Sequence, residues 1–154
     1  MGGVLTVAVR PARAEDALDV WQGRNDPAAR AASFDTHEVP LEVHRAWFRR
    51  ALDDRDRCLL IVEEDGVAAG VVRFDRGDDA WEVSINMAPE RRGRGLGIDA
   101  LQRAARWLTV HEGAARIRAQ VRTENDASLR TFASAGYVEE RRDEGRVVLV
   151  CDLA

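Results

Sequence analysis

Apolar and polar residues alternate along several short stretches of this chain, which is the pattern of strands that bury one face. The clearest stretch is Trp81–Met87, in which the odd-numbered residues are apolar and the even-numbered residues are polar. Turn-forming triplets, EDG at 64–66 and DEG at 143–145, separate neighbouring stretches and predict hairpins. The predicted strands are residues 5–9, 57–63, 67–74, 81–87, 117–122, 137–140 and 146–152.

Other stretches repeat apolar residues every three or four positions, which predicts helices with one apolar face. The motif NDP at 25–27 supplies a capping residue followed by proline, which favours the first helical position. Three consecutive strands precede the longest helix, and the length of 154 residues fits one α/β domain over residues 1–154. The predicted helices are residues 14–21, 27–33, 40–52 and 95–111, and one that is capped near Asn125 and ended by Gly136.

The composition provides for a core, because 45% of the 154 residues are hydrophobic. The formal net charge of -4 argues against a general nucleic-acid binder, so any phosphate site must be local. All 23 basic residues are arginine, which excludes a P-loop lysine and a Schiff-base lysine.

The two cysteines, Cys58 and Cys151, lie in apolar stretches without paired spacing. They are predicted to be buried thiols rather than a disulfide or a metal site. The chain begins without a basic leader, and no window approaches the ~18 apolar residues that a membrane span requires. We therefore expect no membrane association and a reducing, cytoplasmic setting.

The stretch PERRGRGLG, residues 89–97, follows a predicted strand and opens the longest predicted helix. In that position successive backbone N–H groups converge near a helix N-terminus, which suits a pyrophosphate. The glycine spacing does not match the dinucleotide fingerprint, because Ile98 stands where the third glycine would be needed. The alternative is a plain helix start with its arginines in solvent.

Within this stretch, Arg92-x-x-Gly95-x-Gly97 resembles the acyl-CoA pyrophosphate loop of the GNAT superfamily of N-acyltransferases. Downstream, NDASLRTFASAGY at 125–137 resembles the second signature of that superfamily. The resemblance implies the GNAT fold, a mixed and mostly antiparallel sheet of six or seven strands that is flanked by helices and opens between the fourth and fifth strands. It also implies acetyl-CoA as co-substrate, and no metal. The implied cofactor-binding residues are Met87, Ala88, Arg92, Gly93, Arg94, Gly95, Leu96, Gly97, Asn125 and Ser128.

Acyl transfer to an amine needs an acceptor for the amine proton and a donor for the carbonyl oxygen as it becomes an oxyanion. Glu82, on the polar face of the strand before the loop, is the candidate base, although it could also be an ordinary solvent-facing carboxylate. By family analogy, the backbone N–H of Met87 or Ala88 is the oxyanion donor. Phe132 stands where many members carry a tyrosine that protonates the leaving thiolate, and Tyr137 is expected to pack. We assign no general acid, because a thiol of pKa ~8.5 leaves well as the thiolate.

The segment 21–48 is expected to select the acceptor, because its helices can cover the opened sheet. Its pattern RNDPxxR, then a histidine, then HxxWF resembles the GNAT enzymes that acetylate nucleotide-linked amino-deoxy sugars, as in pseudaminic acid biosynthesis. Gln22 and Gly23, between Trp21 and Arg24, depart from that pattern. The alternative is that residues 25–27 only cap a helix and that the aromatic residues only pack. The predicted acceptor-binding residues are Arg24, Asn25, Asp26, Arg30, His37, His44 and Trp47.

Two other functions stay open at this point. One is a ribosomal-protein-type N-terminal acetyltransferase, which would need an open groove for a peptide. The other is a noncatalytic sensor that binds acyl-CoA. The partner in the preferred reading is a small-molecule amine, and the edge strands between 137 and 152 make a homodimer plausible.

Overall fold

The computed structural model describes residues 6–93 and 95–153, and over these residues the strands form one seven-stranded sheet. The strand order is β1-β2-β3-β4-β5-β7-β6. Leu5 of the first predicted strand and Arg94 of the predicted cofactor loop lie outside the described residues. The strands are β1 Val7–Pro11, β2 Arg57–Glu64, β3 Val67–Arg76, β4 Trp81–Met87, β5 Arg116–Arg122, β6 Val138–Asp143 and β7 Arg146–Asp152.

The helices follow the predicted order, and their ends differ from the predicted ends by a few residues. The first begins as a 3₁₀ turn at Ala14–Asp16, in which the Asp16 carboxylate accepts the Arg13 N–H at 2.7 Å. The last begins at Asp126, and the Asn125 side chain caps it as predicted. The helices are α1 Ala17–Asn25, α2 Pro27–Ala32, α3 Leu41–Asp53, α4 Leu96–Glu112 and α5 Asp126–Ser134, with a second 3₁₀ turn at Pro89–Arg91.

The two faces of the sheet carry different helices, because successive strand residues point to opposite sides. Cys58, Leu60 and Val62 of β2 belong to the main core, together with the apolar stripe of α4 and Phe132 of α5. Leu59, between them, packs instead with Phe48 of α3 in a smaller core. Helices α4 and α5 therefore cover one face, and α3 with its neighbour α1 covers the other.

The sheet opens between β4 and β5, as predicted. These two strands run parallel and pair at three positions, Trp81 with Ile117, Glu82 with Arg118 and Val83 with Ala119. On its other side, β4 pairs with β3 along all seven of its residues. The carboxyl-terminal parts of β4 and β5 consequently border a gap that begins after Val83.

One edge of the sheet is β6, whose six residues are all exposed. An open edge is a surface on which a second chain can pair. The homodimer stays a prediction, because it concerns a contact between two chains. Among the described residues, no helix combines the length and apolar character that crossing a membrane requires.

Candidate active site

Gly93 and Gly95 give the predicted cofactor loop its backbone conformation. Their φ angles are +76° and +77°, in the left-handed region that side chains disfavour. Gly95 is the N-cap residue of α4, and no side chain caps this helix. The N–H groups of its first turn therefore face outward from a positive helix end, which fits the pyrophosphate of CoA.

Gly97 has a different physical role, although it belongs to the same motif. A Cβ added at Gly97 would lie 3.2 Å from Cγ2 of Thr131, so this glycine lets α4 approach α5 closely. The preceding residue, Leu96, is 7% exposed and packs in the main core. At Leu96 and Gly97, therefore, only backbone atoms are available to contact a bound cofactor.

The arginine side chains of the loop hold it in place. Arg92 donates from Nε to the Met87 carbonyl at 3.0 Å, from Nη1 to Asp26 at 3.1 Å and from Nη2 to Asn86 at 3.3 Å. Arg91 forms an ion pair with Glu64, whose side chain is buried. The loop is thereby tied to the end of β4, to the start of α2 and to the end of β2.

The end of β4 offers one of the two predicted oxyanion donors to the gap. Ala88 N–H donates to the carbonyl of Ala69 at 2.8 Å, so it already has a partner on the β3 side. In an antiparallel pair, residues alternate between bonding the partner strand and facing away from it. Met87, which is opposite Gly70, therefore directs its N–H toward the gap. The strand β3 requires glycine opposite Met87, because a Cβ on Gly70 would lie 2.8 Å from the backbone oxygen of Asn86 and 3.0 Å from the Cα of Met87.

Glu82 lies at the narrow end of the gap. It is opposite Arg118, one pair before the contact between β4 and β5 ends, and its side chain is exposed on the α3 face. Its Oε1 accepts a hydrogen bond from Gln120 Nε2 at 2.6 Å. The other end of that amide, Gln120 Oε1, accepts from Arg146 Nη1. The carboxylate is thus held by β5 at the point where a base is expected.

The second signature supplies a helix cap and buried rings. Asn125 Oδ1 accepts the Ser128 N–H at 3.2 Å, and contact of either residue with the cofactor stays a prediction. Phe132 and Tyr137 are 3% and 4% exposed, and their rings meet edge-on at a centroid distance of 5.0 Å. Burial raises the pKa of Tyr137, and its hydroxyl has no hydrogen-bond partner among the described residues. Tyr137 therefore packs against Phe132, as expected.

Four of the predicted acceptor residues lie around the connection between α2 and α3. Asn25 binds the backbone of Val39 in both directions, at 2.8 and 2.9 Å, and Arg30 donates to the Thr36 carbonyl at 3.2 Å. Asp26 caps α2 by accepting the Ala29 N–H at 3.1 Å. Arg24 lies 3.9 Å from the carboxylate of Asp35. These contacts fix residues 33–40 against α1.

The remaining predicted acceptor residues do not join this group. His37 is 91% exposed and contacts the Asp35 carboxylate at 2.9 Å. His44 is buried against the rings of Trp47 and Phe48, and burial lowers its pKa. Trp47 lies beneath two guanidinium groups, those of Arg57 at 5.6 Å and Arg73 at 5.8 Å. For His44 the geometry favours packing, and an acceptor role for these three residues stays a prediction.

Comparison with known proteins agrees with this geometry. A family model described as an acetyltransferase (GNAT) domain matches residues 6–138. The chain belongs to the GNAT acetyltransferases. It is accordingly an N-acetyltransferase domain whose co-substrate is acetyl-CoA. No curated protein sequence matches it.

Several solved structures share the fold of this GNAT domain. AAC(6')-Ib, an aminoglycoside acetyltransferase, in complex with paromomycin and acetyl-CoA, is 14% identical with a TM-score of 0.82, over 96% of this chain and 93% of that one. A spermidine N-acetyltransferase from Vibrio cholerae in complex with CoA and spermine is 17% identical with a TM-score of 0.81, over 94% and 92%. A third, assigned provisionally as a phosphinothricin N-acetyltransferase, is 25% identical with a TM-score of 0.78, over 97% and 99%. None of these similarities identifies the acceptor of this GNAT enzyme.

The structure brings further residues to the face of the sheet that carries Glu82, and the sequence did not indicate them. Phe34 lies under the guanidinium groups of Arg146, at 4.2 Å, and Arg122, at 5.7 Å. Arg122 also donates to the carbonyl of Ser33 at 2.8 Å. The polar alternate positions of β5, including Gln120, were a visible signal, but their partners come from distant parts of the chain.

A separate cavity of about 650 Å³ lies on the other side of β4, between α1, β3 and the loop. Its described lining includes Asp19, Asp26, Gly70, Asn86 and Glu90, and none of that lining comes from β5. It shares Asn25, Asp26 and Ala88 with the predicted acceptor and cofactor residues, so it borders the predicted site. In the described part of the chain, no three His, Cys, Asp or Glu side chains are grouped as metal ligands would be.

Proposed function

We propose that this GNAT enzyme acetylates the primary amine of a small molecule by direct attack of the amine on the thioester of acetyl-CoA. The observation that carries this proposal is the arrangement at the gap. Glu82 lies where the two strands part, and Met87 directs a backbone N–H toward the same opening. A proton acceptor and an oxyanion donor thus flank the space that the family uses for its co-substrate.

The donor side is formed mainly by backbone groups. The turn at Gly93 and Gly95 and the first turn of α4 would bind the pyrophosphate, and the free edge of β4 would bind the pantetheine arm. Acetyl-CoA supplies an acyl group that is activated for attack as a thioester. Arg91 and Arg92 keep the loop in register with β4.

Glu82 would take the proton of the attacking amine through water molecules in the gap, because Met87 lies five residues farther along β4, ~16 Å away. The hydrogen bond from Gln120 engages Oε1 and orients the carboxylate, which leaves Oε2 to accept the proton. Met87 N–H would donate to the carbonyl oxygen as its charge grows. Since Phe132 has no proton to give, the sulfur leaves as a thiolate.

For the acceptor, we propose the amine of a nucleotide-linked amino-deoxy sugar. The resemblance of residues 24–47 to that branch supports it, and so does the position of residues 33–40. Residues 33–40 are fixed across the acceptor side by Asn25, Trp21 and Arg122, which leaves less room for an extended peptide. An amine beside electronegative sugar oxygens is also easier to deprotonate than a lysine side chain.

The test compares Glu82→Gln with Glu139→Gln, an exposed glutamate on the edge strand that pairs with Arg142. Acetyl transfer from acetyl-CoA is measured on UDP-linked 4-amino sugars and on short peptides, and CoA binding is measured by calorimetry. We expect kcat/KM to fall ~10²- to 10⁴-fold in the Glu82 variant only, with CoA affinity retained.

Each alternative has its own result. Turnover of peptides alone would exclude the sugar and favour the N-terminal acetyltransferase. Tight CoA binding without turnover of any amine by the wild type would favour a sensor. Full activity of the Glu82→Gln enzyme would remove Glu82 from the mechanism and leave the enzyme class intact.

A further inference from the structure

We propose that Arg146, stacked on Phe34, binds the anionic group of the acceptor, a phosphate or a carboxylate, while Glu82 accepts the proton of its amine. The inference rests on the proposed function, because it concerns the same acceptor. It assigns a subsite to β7, which the sequence pattern of the acceptor segment did not indicate. The argument depends on position, on charge and on the rigidity of the stacked pair.

Arg146 lies on the face of the sheet that carries Glu82, at the open end of the gap. It pairs with Arg122 at the carboxyl end of β5, and Gln120 is two residues earlier on that strand. The side-chain amide of Gln120 therefore bridges the two charged groups. Its Nε2 donates to Glu82, and its Oε1 accepts from Arg146. Two hydrogen bonds and an amide span ~7 Å at most, a distance that a small substrate bridges.

The charge of Arg146 lacks the carboxylate partner that other arginines on this face have. Arg118 donates twice to Asp79, at 3.0 and 2.9 Å, and these hydrogen bonds lower the pKa of that carboxyl to about 2. Arg122 lies 3.3 Å from Glu124. No carboxylate of residues 6–93 and 95–153 lies within 4.0 Å of Arg146. Its direct contacts are neutral, so an anion that arrives meets a guanidinium with free N–H groups.

Phe34 gives this guanidinium a fixed orientation. The ring centroid is 4.2 Å from the Arg146 carbon, and the ring is 45% exposed. A stacked guanidinium keeps its edge N–H groups available for two parallel hydrogen bonds. The backbone beside Phe34 is held in turn, because Arg122 binds the Ser33 carbonyl. Arg146, stacked on Phe34, therefore holds its free guanidinium N–H groups in a fixed orientation near Glu82.

The test uses matched amines that differ in one charged group, namely glucosamine 6-phosphate with glucosamine, phosphoethanolamine with ethanolamine, and methionine with methioninamide. The variants are Arg146→Gln and Arg146→Lys. The control is Arg141→Gln, an exposed arginine of the edge strand that pairs with Asp143. We measure kcat and KM for each amine, and the affinity of the CoA-loaded enzyme for each amine by calorimetry.

We expect the wild type to prefer the anionic member of a pair, and Arg146→Gln to reduce that preference ~10- to 100-fold, chiefly through KM. Arg146→Lys should restore part of it, and Arg141→Gln should match the wild type. The phosphate and carboxylate pairs show which anion Arg146 binds. Equal use of charged and neutral amines by the wild type, or an unchanged preference in Arg146→Gln, overturns the inference. So does an equal loss of kcat on both members, since Arg146 would then act only by holding Gln120.

The two proposals fail in different ways. Turnover without any preference for charge leaves the acetyltransferase proposal standing and removes the anion subsite. Calorimetry that shows a preference for charged amines, without turnover of any amine, would remove the acetyltransferase proposal and leave the anion subsite.

Discussion

Replacement of Gly97 by alanine separates packing from cofactor binding within one short motif. Gly97 is the second residue of α4, where alanine is favoured over glycine by up to ~1 kcal/mol. The new methyl would lie 3.2 Å from Cγ2 of Thr131, closer than the ~3.5–4.0 Å of an ordinary carbon contact. Relief of such a contact costs ~1 kcal/mol at the low end of overpacking, so the two effects nearly cancel in the single variant. Replacement of Thr131 by serine removes the methyl that causes the close contact, so only the gain in helix propensity from alanine remains.

We therefore expect Gly97→Ala to be near neutral in the wild type and to stabilise the Thr131→Ser protein by ~1 kcal/mol, which is ~2–4 °C in Tm for a chain of this size. The assay is urea denaturation of the four proteins in a double-mutant cycle, with CoA affinity measured for each. Gly95→Ala is the contrast, because its left-handed backbone costs ~1–2 kcal/mol in either background. A coupling energy of zero between Gly97 and Thr131 would refute the packing explanation. Loss of CoA affinity in the stabilised double variant would show that the Gly97 site must also stay clear for the ligand.

Two further predictions concern groups away from the gap. Asp16 accepts two hydrogen bonds from Arg10, which hold its pKa below the usual range, so its contribution to stability is present above pH ~4 and is lost as the pH falls further. Asp16→Asn should lower the free energy of unfolding by ~1–3 kcal/mol in urea denaturation at pH 7, and the loss of stability at acid pH should become smaller. The control Asp19→Asn should change neither the stability at pH 7 nor its decline at acid pH. An unchanged decline in the Asp16 variant would contradict the role given to Asp16. Burial raises the pKa of Cys58 to about 11, so in a Cys151→Ser protein a thiol-specific reagent at pH 8 should label Cys58 only on unfolding. Cys151 is only partly buried, contrary to the prediction, and would otherwise be labelled as well. Rapid labelling of the native Cys151→Ser protein would be inconsistent with a buried Cys58 thiol.

The position of the glycine loop could be predicted from sequence because its signals are local. A strand, a glycine turn and a helix start follow one another within residues 81–97, and their order alone places the loop at the end of β4. The hydrogen bond that occupies Ala88 N–H was not visible, because it depends on the register between β3 and β4. The partners of Arg91 and Arg92 likewise come from β2 and α2.

The acceptor side was less predictable because its contacts join distant residues. Gln120 is 38 positions from Glu82 and 26 from Arg146, and only the strand order β4-β5-β7 brings them together. His44 and Trp47 of α3 have side chains that could bind a ligand, yet His44 has the spacing of an apolar helix face and is buried there. Chemical type alone does not distinguish a residue that meets a ligand from one that packs.

The gap also divides the backbone hydrogen-bond network of the protein into two blocks. Strands β1 to β4 form one ladder and β5, β7 and β6 form the other, and three residue pairs join them. A ligand arm that pairs with the free edge of β4 acts as an additional strand between the blocks. Filling the gap in this way would couple ligand binding to the local stability of the sheet. Separation of the two blocks would then also break their contacts with the ligand. In the proposed binding mode, CoA would become part of the folded structure during each turnover, and its departure would leave the two blocks joined only by the three pairs between β4 and β5.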